Sequence, residues 1–122
     1  DRRGVSAVEF GLAAPFLIVA ILGSIEVGRL YWLDNTMQFA AAEAARYAMV
    51  HQTASDQQIT DMAKSQAVGV SPDSFTVQVN TDTVNGVGYL TVTMSYPFDF
   101  NVPFVPAGLI TLTGRSRAPR PF

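Results

Sequence analysis

The chain has 122 residues, no cysteine and a formal net charge of −2. That length holds one small domain plus an anchor, and the charge gives no general attraction to nucleic acid. The absence of thiols excludes disulfides, thiolate metal sites and thiol nucleophiles.

Apolar residues make up 48% of the chain and charged residues 15%, against about 25% charged in soluble domains. The apolar excess is concentrated before residue 34, and Phe10 to Ile25 contains no ionisable residue. At about 1.5 Å per residue, roughly 20 helical residues cross a hydrocarbon core, and Val5 to Ile25 meets that length. A cleaved secretory signal has a shorter apolar region that ends in a small-residue cleavage site. Here the apolar run continues into further helix. Tyr31 and Trp32 suit an interfacial aromatic belt. Arg2 and Arg3 precede the span, and Asp34 to Asp99 carries seven acids against Arg46 and Lys64. The positive-inside rule therefore expects a cytoplasmic N-terminus and an outer, periplasmic body.

Four features of the span raise questions of chemistry. Ala20, Ser24 and Gly28 recur every fourth residue, a small face that another helix backbone can approach or that arises by chance. Pro15 removes one helical hydrogen bond and is expected to kink or loosen the helix. Glu26 and Arg29, three apart, are expected to pair at the outer interface. Glu9 has no basic residue three or four positions away, so it either faces a partner inside the bilayer or snorkels toward the headgroups.

Beyond the span, "DNTMQFAAAEAARYAMVHQ" continues as helix, with Met37, Ala41, Ala44, Ala45 and Ala48 on one stripe for close packing on a flat partner, most simply the chain's own sheet. His51 is the sole histidine and reads as capped or solvent-facing, not as a metal ligand. "SDQQITDMAKSQAVGV" predicts a second helix opened by a Ser55–Gln58 capping box and ended near Gly69. The period then becomes two: Phe75, Val77 and Val79 in one run, Leu90, Val92, Met94 and Tyr96 in the next, joined through Asn85-Gly86 as a hairpin. "LITLTGRSR" predicts a third strand. Between the last two lies "YPFDFNVPFVPAG", whose prolines 97, 103 and 106 exclude a central strand. Its Phe98, Phe100 and Phe104 are expected to cover the core or to dock at the membrane or a partner. The end, "GRSRAPRPF", reads as an extended tail, whose Arg115, Arg117 and Arg120 are possible contacts for headgroups or an acidic partner.

Catalytic signatures are missing. The sequence has no P-loop, no H-E-x-x-H, no G-x-S-x-G and no dinucleotide-type glycine loop. Asp56 and Asp61 fall on different helical faces, and no D-x-D-x-D-G calcium loop occurs. No enzyme, cofactor, metal or small-molecule substrate is expected.

The opening "RRGVSAVEFGLAAPFLIVAILGSIEVGRLYW" follows the prepilin pattern of a basic pair, a glycine, four residues, then Glu-Phe and an apolar run. It resembles the TadE/TadG family of pilin-like Tad pilus assembly proteins. Arg3-Gly4, Glu9-Phe10, Pro15, Glu26, Gly28-Arg29 and the aromatic pair carry the resemblance, which continues through "MQFAAAEAARYA". It implies a peptidase-type motif of Gly4, Val5, Glu9 and Phe10, with cleavage after Gly4. Glu9 would then neutralise the new terminal amine, at Val5, of a neighbouring subunit. Each buried charge would offset the other's desolvation. The chain begins at Asp1, not Met, and retains Asp1 to Gly4. The expectation is therefore an uncleaved form, or a copy of the fold serving another assembly.

These readings converge on an α+β protein. Residues 1–33 form a basic flank and a single transmembrane helix in the bacterial inner membrane. Residues 34–122 form an extracytoplasmic domain with a second helix, a three-stranded antiparallel sheet and a basic C-terminal tail. The expected role is a non-catalytic pilin-like or minor-pilin component of a Tad-type pilus or secretion system. The alternative is an accessory structural subunit of another inner-membrane complex, such as a photosynthetic or respiratory one. Expected partners are membrane lipid and the transmembrane helices of other subunits. An extracellular ligand-binding module has no support beyond an exposed domain.

Overall fold

The computed structural model describes residues 2–104 and 108–120. The expected features at Asp1 and Pro106 lie outside the described residues. A single helix, α1, runs from Arg2 to Val50. It passes through Pro15 without a break. Only its second half is buried on one side, where Leu33, Met37, Ala40, Ala41, Ala44, Ala45 and Ala48 form the stripe. The boundary expected at 33/34 thus falls inside a continuous helix.

Helix α2 spans Asp56–Gln66. Its start is the expected capping box: the Gln58 N–H donates to Ser55 Oγ, and the Ser55 N–H donates to Gln58 Oε1. Ile59 and Ala63 face α1, and the chain leaves through Gly69 at φ +84°. A side chain at Gly69 would press on the Trp32 indole as well as strain that backbone.

Three strands follow, β1 (Thr76–Val84), β2 (Val87–Asp99) and β3 (Leu109–Pro119), in the antiparallel order β1-β2-β3. Asn85 and Gly86 both take positive φ at the β1–β2 turn, the backbone that a two-residue hairpin requires. Leu90, Val92 and Met94 of β2 are fully buried with the alanine stripe. Short side chains on the helix let its backbone approach the sheet closely.

Two sequence expectations are corrected here. Tyr96, Pro97, Phe98 and Asp99 belong to β2, and Pro97 pairs with Thr111. The pairing with β1 stops at Thr76 and Ser95, so this end of β2 has one neighbour and an open side that tolerates a residue without an N–H. Second, "GRSRAP" is the second half of β3, paired with β2 up to Tyr89↔Pro119. It is an edge strand and not a tail.

A smaller cluster of Leu33, Phe98 and Leu112, with Leu30 and Phe100 against it, closes the end of the domain nearest the apolar half of α1. Phe98 is fully buried there, so this phenylalanine serves the core.

Candidate functional site

The apolar half of α1 is long enough to cross a membrane, and none of its most apolar stretch is buried by the rest of the chain. Val5, Val8, Phe10, Leu12, Phe16 and Leu17 all stand exposed. Glu9 lies on this surface, one or two turns above Arg2, Val5 and Ser6, with which it lines a shallow hollow on one helical face. Among the described residues, Glu9 forms no ion pair with a basic side chain.

Glu26 is placed differently. Arg29 Nη2 lies 3.0 Å from its carboxylate, and the backbone N–H of Asn101 donates to the same oxygen at 3.2 Å. The same arginine nitrogen donates to the Asp99 carbonyl at 3.1 Å, and the guanidinium stacks 4.4 Å above the Phe98 ring. The expected local ion pair is therefore also a bolt between α1 and the end of β2. Arg29 first, and then the Asn101 N–H, hold the Glu26 carboxyl below its ordinary value. The sequence signalled the pair but not Asp99 or Asn101, which arrive from 70 and 75 positions away in β2 and the chain just after it.

The small-residue face meets the chain itself. Ala20 and Ser24 line a groove with Val19 and Gly23 on the helix side and Phe100 and Val102 on the other. Ser24 Oγ donates back to the Ala20 carbonyl. Gly28, the third member of the face, has open space where a side chain would stand.

Residues 4–46 match the TadE-like protein family. The match begins at Gly4 and takes in Glu9, Pro15, Glu26 and Arg29, so it bears out the resemblance read from the opening sequence. It relates this part of the chain to pilin-like, pilus-related structural proteins, which are not a known enzyme family. No curated protein and no solved structure matches the chain.

The three arginines expected to touch headgroups or a partner lie beyond the TadE-like segment. Arg120 is 7% exposed. Its Nη2 donates to the carbonyls of His51, Gln52 and Ala54. That places a cation on the C-terminal end of α1, whose last turn has no basic residue of its own. Arg117 reaches Asp82 at 3.6 Å and stacks over Tyr89. The Arg115 N–H donates to Gln38 Oε1, while Gln38 Nε2 donates to the Thr113 carbonyl, so a glutamine of α1 pairs with the edge of β3. Gln38 is 13 residues past Ile25, about 20 Å along the helix, and Arg120 lies at its far end. That height separates all three arginines from the headgroups of a bilayer crossed by Val5–Ile25. His51 stacks on Tyr47 at 4.3 Å and has Nδ1 3.2 Å from the Tyr47 carbonyl, a local arrangement.

Proposed function

We propose that this protein is a non-catalytic, membrane-anchored assembly component: a pilin-like or minor-pilin subunit of a Tad-type pilus or secretion system. In this reading α1 crosses the bacterial inner membrane with Arg2 and Arg3 in the cytoplasm, and the sheet domain stands in the periplasm. The exposed apolar half of α1 packs against transmembrane helices of other subunits. The observation that carries the reading is Glu9, an acid on a bare apolar helix surface, inside the segment that matches the TadE-like family. A carboxylate at that depth is costly without a partner. A neighbouring subunit's amine, freed by cleavage after Gly4 and with loss of Arg2 and Arg3, is the partner that the Gly4–Val5 motif would supply.

Purification of the natural protein in mild detergent, followed by mass spectrometry, tests this directly. Tad pilus proteins are the expected neighbours. Redox or pigment-binding subunits in their place would assign the chain to a different membrane complex. Glu9→Gln is expected to leave the domain folded and to reduce incorporation into the assembly by an order of magnitude or more, as for loss of about 1.4 kcal/mol or above. Unchanged incorporation would mean that Glu9 snorkels to the headgroups.

A further inference from the structure

We propose that the chain just after β2, Phe100 to Phe104, is a second membrane contact, seated in the periplasmic leaflet beside α1 with Phe104 against lipid. The inference rests on the reading of α1 as a membrane helix. It adds a site on the other side of the chain's own domain.

The first argument is depth. The chain after β2 descends along α1: Phe98 and Asp99 meet Arg29, the Asn101 N–H meets Glu26, and Phe100 and Val102 face Val19, Ala20, Gly23 and Ser24. Val19 lies seven residues below Glu26, about 10 Å along the helix. If the helix at that level stood in water, only Val5–Ile18 would remain to cross the bilayer. Fourteen residues reach roughly 21 Å, short of a hydrocarbon core of about 30 Å. A membrane-crossing α1 therefore brings this segment to the acyl boundary with it.

The second argument is chemistry. No residue from Phe100 to Gly114 is ionisable. Val102 is buried, whereas Phe104 is 92% exposed and Leu109 72% exposed. Phe104 also takes φ +67°, a left-handed backbone that disfavours a bulky side chain. The ring takes no part in packing among the described residues. Backbone polar groups limit how deep a loop can go, and here several are accounted for. The Phe100 N–H donates to the Gly108 carbonyl, the Asn101 N–H goes to Glu26, and Pro103 has no N–H. Insertion by about 5–10 Å, the depth usual for interfacial elements, agrees with the position found along α1. The exposed surface here is apolar and free of charge, as is the exposed stretch of α1 from Phe10 to Ile25, which points to lipid as the occupant.

The cysteine-free chain suits single-site labelling. Phe104→Cys, Leu12→Cys and Thr83→Cys, each carrying an NBD fluorophore, are reconstituted as full chains into phosphatidylcholine–phosphatidylglycerol vesicles. The vesicles contain either ordinary or acyl-brominated lipid. All three sites are exposed, so the labels displace no internal packing. The expected result is loss of most of the emission at positions 104 and 12 in brominated lipid, with protection from aqueous iodide, and the reverse at position 83. Quenching of position 104 by iodide and not by lipid, with position 12 still in lipid, overturns the inference alone. Protection of position 104 from both quenchers also overturns it, because protein then covers the ring. Iodide quenching at both 12 and 104 removes the membrane reading of α1 itself.

Discussion

Arg120 shows how a single side chain can fix two ends of the molecule. Its one nitrogen reaches three carbonyls in the turn that follows α1, of which the His51 carbonyl also accepts the Ala54 N–H. Arg120→Ala takes this donor from the Gln52 and Ala54 carbonyls, and a loss of about 2–3 kcal/mol is expected from hydrogen bonds to a charged group. Urea unfolding in detergent, followed by circular dichroism, reads this loss. No local sequence pattern announces the contact, because its partners lie 66 to 69 positions earlier. Gly114 is the converse case. A Cβ there would stand 2.7 Å from the Gln38 backbone nitrogen, against the helix backbone itself. A glycine inside a strand run is the usual mark of such an approach. Gly114→Ala should therefore force β3 off α1 and lower stability by about 1–3 kcal/mol, visible in the same unfolding experiment.

Whole elements were legible in proportion to how local their causes are. The capping box at Ser55, the alternation from Phe75 to Met94 and the Asn85-Gly86 turn are short-range signals, and each marks the element found. The extent of β2 and β3 was not legible, since Pro97 and the arginine-rich end become strand only through mutual pairing. The link between α1 and the end of β2 was half legible, as an ion pair without its backbone partners. Its pH dependence follows from the Glu26 carboxyl, which is held below its ordinary value of 4.5. A depressed acid contributes its stabilisation above the unfolded value, and loses it as pH falls through the folded one. Amide exchange at Asn101 should thus be slow at neutral pH and gain relative to β2 only at pH below the ordinary carboxylate range. Glu26→Gln should show the fast exchange at every pH.

At the scale of the whole molecule, the orientation is open to a direct measurement. Arg2→Cys and Thr83→Cys lie near opposite ends of the structure. A membrane-impermeant maleimide applied to cells with a permeabilised outer membrane should label Thr83→Cys and spare Arg2→Cys on the uncut chain, identified by its mass. The opposite pattern would place the sheet domain in the cytoplasm. The candidate site divides along the same lines of legibility. Glu9 and its motif could be read from order along the chain, whereas the groove beside Ala20 needed the fold to bring Phe100 and Val102 there. The unbroken α1 has a mechanical consequence. Arg29, Gln38 and Arg120 tie the sheet domain to the start, middle and end of the second half of α1, so the domain and that half of the helix turn as one lever. The missing hydrogen bond at Pro15 lies below that rigid part. A sideways load on the hairpin tip acts through an arm of about 50 Å, and its torque is felt at Gly11 to Pro15, deep in the span and one or two turns from Glu9.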